Sequence, residues 1–319
     1  MAELVDTFLE IDPIDLAYTK LKKDSLKGEV AVITGGTSNI GLGYARAIAW
    51  AGGKVVVASP DVKDGVEVER VINAENNNPD TALYVNCDVT KEDDIKNLSK
   101  LAFEKFGKVD ILINNAMILS LNGSVLNSPI SDLEKSYAIS GRGVMLAIKE
   151  FVPAMVERKH GIVVYSTTQF HYHPPMIGGA MYCAGKAAAT SLVMSLANEI
   201  GAYEESGVSV FCMIPASVLR PGRHRPPNSP DGRDMSAYQR KPMPGFEGTI
   251  PPEAAGAALV YCVQNAGKLH GSGINILDAF DAMDYPYERP ETVRKEKMSR
   301  LNDTELTFVF ANMGPGFDA

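Results

Sequence analysis

The chain has 319 residues, 45% of them hydrophobic and 22% charged, enough for a sizeable core and too apolar for an intrinsically disordered chain. A net charge of −8 argues against nucleic acid as a partner, because phosphate backbones are held by cations. No apolar run reaches the roughly 18 residues of a membrane helix, and Met1 to Leu9 carries acids where a signal peptide carries lysines. We therefore expect a cytoplasmic chain with no membrane partner.

In chain order, Glu29 to Thr34 is a β-rich apolar run that ends in glycines and leads into a helical pattern from Ile40 to Ala51. Lys54 to Ala58 is the second expected strand, Val62 to Glu75 a helix, and Ala82 to Asn86 the third strand. A helix from Lys91 to Phe106 precedes Val109 to Ile113, a strand of almost pure Val, Leu and Ile. A long helix from Ser131 to Val156, strand Gly161 to Ser166, helix Met181 to Ile200 and strand Val208 to Met213 follow. Helix Pro252 to Gln264 and strand Gly273 to Leu277 close the pattern. Unbroken apolar strands are buried on both faces, and their alternation with helices predicts an α/β fold. The expected architecture is a Rossmann-type, doubly wound parallel sheet of about seven strands with helices on both faces. We expect one domain over residues 28–283, with extensions at 1–27 and 284–319.

The first strand runs into Thr34-Gly35-Gly36-Thr37-Ser38-Asn39-Ile40-Gly41. A glycine-rich turn between a first strand and a first helix points at a pyrophosphate: Gly35 makes the turn, Gly41 admits close packing, and the helix start offers free N–H groups. Asp88-Val89 follows the third strand, Asn114-Asn115-Ala116-Met117 ends the fourth, and Tyr182-Cys183-Ala184-Gly185-Lys186 lies in a later helix. These motifs, in this order over roughly residues 28 to 280, resemble the short-chain dehydrogenase/reductase family.

The resemblance implies a dinucleotide held by Gly35, Thr37, Ser38, Asn39, Ile40 and Gly41, with Asp88 and Val89 at the adenine. It places Asn115, Ala116, Lys186 and Pro215 along the rest of the cofactor. It implies Tyr182 as proton donor and acceptor, Lys186 as the charge beside it, and a hydroxyl residue at the end of the strand Ile162 to Tyr165. Thr167 ranks first for that hydroxyl, then Thr168, then Ser166. Ser140 takes the place of an asparagine that holds a proton-relay water in the family. The chain departs from the pattern at Asn39, where a glycine is usual, and at Met117 and Ala216. At the end of the second strand stands Ser59, with Asp61 and Lys63 close behind. Ser59 leaves room for a 2′-phosphate, so NADP is favoured, with NAD still open through Asp61.

Tyr182 and Lys186 are four residues apart and share a helix face, where an ammonium can stabilise a phenolate. Together with the resemblance, this implies the interconversion of an alcohol and a ketone as the expected activity. Two alternatives stand beside it: altered chemistry of the dehydratase, epimerase or cyclase kind, and a non-catalytic dinucleotide-binding protein. His171 and His173 form an H-x-H pair without a third ligand at sensible spacing, so no metal is expected. The four cysteines contain no C-x-x-C pair and are expected to be buried thiols. The Pro- and Gly-rich stretch 217–248 carries six basic residues against three acids, which suits a solvated loop first and a lid over a small anionic substrate second. The long helices are those through which the family pairs its subunits, so a homodimer or homotetramer is expected.

Overall fold

The computed structural model describes residues 14–17, 19–118, 125–126, 128–168, 179–215 and 250–285. Seven strands form one sheet: β1 Val30–Thr34, β2 Lys54–Ser59, β3 Ala82–Asn86, β4 Ile111–Asn114, β5 Gly161–Ser166, β6 Val208–Ile214 and β7 Gly273–Asn275. Their order is β3-β2-β1-β4-β5-β6-β7 and every pairing is parallel. The expected Rossmann topology is present. After β3 the chain returns to place β4 beside β1, so the loops leaving those two strands diverge and open a crevice at their carboxyl ends.

Side chains of successive strand residues point to opposite faces, and both faces here are apolar. Ala31, Ile33, Val55, Val57, Ile111 and Ile113 join one core, under helix α1 (Asn39–Trp50) and the helix Pro252–Gln264. Val32, Val56, Leu112, Val163 and Val210 join the other, under α3 (Glu92–Phe106), α5 (Val144–Arg158) and α6 (Ala180–Ile200). Helix α1 and helix Pro252–Gln264 meet backbone to backbone. A Cβ on Gly43 would lie 1.9 Å from the Pro252 carbonyl oxygen, and one on Gly256 would lie 2.2 Å from that of Gly43. In the same helix Arg46 is 1% exposed. It is held at 2.5 Å by Glu75 at the end of α2 (Val62–Glu75) and at 2.5 Å by Glu253.

Two elements differ from expectation. The helix expected from Ser131 to Val156 is divided into α4 (Ile130–Tyr137), a π-turn (Ala138–Gly143) and α5. Gly141 and Gly143 are poor helix formers, and Gly143 passes so close to Val89 that a Cβ would come within 3.0 Å of its carbonyl oxygen. The π-turn carries Ser140 into full burial. The last strand ends at Asn275 rather than Leu277, because the Asn275 side chain accepts from Leu277 N–H and caps the helix Ile276–Ala282.

Part of the N-terminal extension packs on the domain: Leu16, Leu21 and Leu26 are buried with Trp50 and Met283, and Lys20 pairs with Asp284 at 2.7 Å. All four cysteines are free and buried. Burial pushes the Cys87 and Cys212 thiols up to about 12, which leaves them poor nucleophiles at neutral pH. Among the described residues Glu29, Asp110 and His160 come together. Asp110 is already held by Lys108, Arg158 and the Val30 N–H, so the group is an ion-pair cluster. No helix among the described residues is long and apolar enough to cross a membrane. The basic stretch 217–248, His171 and His173 lie outside the described residues.

Candidate active site

The glycine turn is built as a cradle. Gly35 has φ +65°, and a Cβ there would sit 2.9 Å from Ala116 Cα. A Cβ on Gly41 would lie 2.1 Å from the Gly35 carbonyl oxygen, which a side chain could not tolerate. Asn39 has φ +47°, in the left-handed region that asparagine enters more readily than other side-chain-bearing residues. That backbone conformation accounts for Asn at a glycine position. Its Oδ1 is buried with no hydrogen-bond partner, as is Asn114 Nδ2. The first turn of α1 has neither a side-chain cap from Ser38 nor an acidic residue. Its N–H groups and the positive end of its dipole are therefore left for an anion, beside the buried Thr37 and the half-buried Ile40.

The turn is tied to the end of β4. Thr34 Oγ1 accepts from the Asn115 and Ala116 N–H groups at 3.0 and 3.1 Å. Asn115 Nδ2 donates to the carbonyls of Thr34 and Gly35 at 3.1 and 3.2 Å. At the far side, Ser59 ends β2 and its Oγ accepts from Asp61 N–H at 3.1 Å. Asp61 caps α2, its Oδ1 accepting from Asp64 N–H at 3.1 Å. Asp88 is held by Thr90, whose N–H and hydroxyl donate to its Oδ1 at 3.0 and 2.8 Å, and Val89 is buried beside it. Pro215 follows β6 at the same edge.

Across the crevice, α6 presents Tyr182 and Lys186 one turn apart. Gly185 between them packs against Ser136 of α4 so closely that a Cβ would lie 2.1 Å from its Oγ. Lys186 is 3% exposed, and its Nζ donates to the Ser166 carbonyl. Burial pulls its amine down to about 7. Tyr182 is half-buried, and burial pushes its phenol up to about 12 against the opposing hydrogen bond to Thr168.

The three candidate hydroxyls separate in space. Thr167 Oγ1 is paired at 2.6 Å with Thr190 Oγ1, which in turn donates to the Lys186 carbonyl at 2.8 Å. Ser166 Oγ donates to Tyr44 Oη at 3.4 Å. Thr168 is the one bonded to Tyr182. Counting from the strand ranked Thr167 first because the pleat direction at the strand end is not visible in one dimension. Ser140 Oγ donates to Met117 Sδ at 3.0 Å, so two of the departures from the family pattern touch each other. Sequence reasoning did not single out Thr190, which engages Thr167, or Tyr165, which lies under Lys186. A lone tyrosine at the end of an otherwise aliphatic strand was the available signal.

Residues 29–225 match the short chain dehydrogenase family. The chain belongs to that family. Among characterised relatives, it is 34% identical over 197 residues to tropinone reductase-like 1 of Erythroxylum coca, covering 61% of this chain and 69% of that one. It is 27% identical over 281 residues to xanthoxin dehydrogenase of Arabidopsis thaliana, covering 85% of this chain and 96% of the other. A crystal structure of 3-ketoacyl-(acyl-carrier-protein) reductase from Brucella melitensis complexed with NADH is similar to it with TM-score 0.66 and 26% identity, covering 79% of this chain and 97% of that one. A metagenomic short-chain oxidoreductase in complex with NADP gives TM-score 0.62 at 25% identity, over 79% and 97% of the two chains. This is an oxidoreductase family whose solved members include nicotinamide dinucleotide complexes, and the cradle above has the shape and the donors such a cofactor needs.

Proposed function

We propose that this short-chain dehydrogenase interconverts an alcohol and a ketone, with Tyr182 exchanging the proton and Lys186 holding the charge beside it. The observation that carries the proposal is the convergence of Tyr182, Thr168 and Lys186 opposite the glycine cradle, in one crevice at the topological switch point. A bound nicotinamide supplies or takes the hydride at the substrate carbon. The rest is the work of this chain. The first turn of α1, with Gly35, Thr37, Ser38, Asn39, Ile40 and Gly41, binds the pyrophosphate. Asp88 and Val89 border the adenine, Asn115, Ala116 and Pro215 line the remainder, and Lys186 reaches the ribose.

At neutral pH Tyr182 is protonated, so it is poised to donate to a carbonyl oxygen as that oxygen gains negative charge. A charged Lys186 then offsets the charge left on the phenol. Thr168, already bonded to Tyr182, is placed to donate to the same carbonyl oxygen, whereas Thr167 braces α6 through Thr190. Thr168→Ala should lower kcat/KM by about 100-fold, the scale of one lost oxyanion donor. Thr167→Val should act on thermal stability and change kcat/KM by less than threefold. Equal losses in steady-state assays would reject this division.

We favour NADP, because Ser59 puts no carboxylate at the strand end, Lys63 stands on the next turn, and Asp61 is turned into the cap of α2. The small-molecule substrate is expected to carry a carbonyl, with an anionic group if the basic stretch 217–248 covers it. Ile130, Tyr137 and Met145 on α4 and α5 are 69%, 43% and 43% exposed, which suits a homodimer or homotetramer paired through these helices; a cytoplasmic location is expected from the sequence alone. Fluorescence titration of the purified chain with NADPH and NADH tests the proposal. Tighter NADPH binding is expected, and tighter NADH binding would move the ribose contact to Asp61. Binding of neither would overturn the dehydrogenase proposal.

A further inference from the structure

We propose that Tyr165 is a positioning residue whose ring face seats the Lys186 ammonium. The proposal rests on the catalytic role given above to Lys186. The amine is buried and has three protons to place, of which one goes to the Ser166 carbonyl. Beneath it lies an aromatic face: Nζ is 4.8 Å from the Tyr165 ring centroid and 5.9 Å from that of Tyr182. Both distances are within the roughly 6 Å over which a ring quadrupole attracts a cation, and the nearer ring is Tyr165. The local geometry follows from β5. Ser166 turns its carbonyl, and Tyr165 its side chain, toward the same amine, so two consecutive residues supply the two sides of one seat.

The ring acts here rather than the hydroxyl. Tyr165 is 1% exposed, and its Oη has no partner of proper hydrogen-bond geometry. Ser140 lies beside that oxygen, its own proton going to Met117 Sδ and its lone pairs open to the phenol. What the side chain turns to the amine is its π-face, which phenylalanine also has. Among the described residues, the titratable groups against the amine are Cys212 on β6, Tyr165 on β5 and Tyr182 on its own helix. Burial drives the amine toward its neutral form, and the ring opposes that drive at a site where a charged lysine is needed.

The test is carbon-detected NMR of the full chain labelled at lysine Cε, without cofactor or substrate. The Lys186 signal is assigned by its loss in Lys186→Met. Its methylene protons should be displaced upfield by the ring beneath them, with a titration midpoint near 7. Tyr165→Phe should keep both features. Tyr165→Leu should abolish the displacement and lower the midpoint by about one pH unit, the size of a desolvated cation–π contact. An undisplaced Lys186 signal in the native chain, or an unchanged one in Tyr165→Leu, would overturn the proposal. Where the Leu variant does not fold, the native signal and its retention in the Phe variant decide the matter. Because no turnover is measured, a seated Lys186 in a chain that reduces no carbonyl would sink the catalytic role alone.

Discussion

Tyr182→Phe should reduce carbonyl turnover by about a thousandfold while leaving dinucleotide affinity within twofold, since a general acid in the transition state contributes roughly 10²–10⁴. The ring stays, so packing is conserved while the transferable proton and the hydroxyl's bond to Thr168 are gone. Lys186→Met should lose at least as much rate and bind the dinucleotide more weakly, because it removes both the charge beside the phenol and the proposed contact to the ribose. Its effect on stability should run the other way. An amine held nearly out of water and pulled down to about 7 is a burden on folding, so an apolar chain of similar length should raise the urea midpoint or leave it unchanged. The same shift sets the pH dependence. In the proposed mechanism reduction requires a protonated Tyr182 and a charged Lys186, so the rate should fall as pH rises through about 7. A Tyr182→Phe enzyme with more than a tenth of native kcat would exclude the tyrosine as proton donor.

The second large effect is on stability. Arg46→Met should cost about 3 kcal/mol by urea denaturation, at the lower end of the range for breaking a buried ion pair. The lower end applies because Glu75 and Glu253 are 11% and 24% exposed and regain some hydration. Glu253→Gln should cost less, since Arg46 keeps Glu75 on two of its nitrogens. The triple replacement Arg46→Met, Glu75→Gln, Glu253→Gln should recover most of the loss. A cost below about 1 kcal/mol for Arg46→Met would show that this triad is structurally idle. The triad also ties α1, whose first turn is proposed above to bind the pyrophosphate, to two neighbouring helices. Dinucleotide affinity should therefore fall along with stability.

Much of this was legible in one dimension, for identifiable reasons. Runs such as Val30–Thr34 and Val208–Ile214 are apolar without alternation because both sheet faces are covered, and that pattern marks a parallel sheet whatever the rest of the chain does. The order of the glycine turn, Asp88, Asn114 to Ala116 and the Tyr182–Lys186 pair located the crevice, since motifs at the ends of parallel strands converge on one edge. Local backbone chemistry is legible too: asparagine is the residue that best replaces glycine where φ is positive, and Asn39 has φ +47°.

What only the tertiary structure decided is where side chains point once elements pack. Thr167 and Thr168 are adjacent in sequence and alike in chemistry, but α6 supplies Thr190 to one and Tyr182 to the other. The break in the helix at Ala138–Gly143 follows from the approach of Gly143 to Val89, a contact across more than 50 residues of chain. Arg46 reads as an ordinary helix charge until α2 and helix Pro252–Gln264 bury it against two carboxylates. Sequence periodicity records which face of an element is apolar. It cannot record which distant residue arrives at that face, because that depends on the packing of the whole sheet.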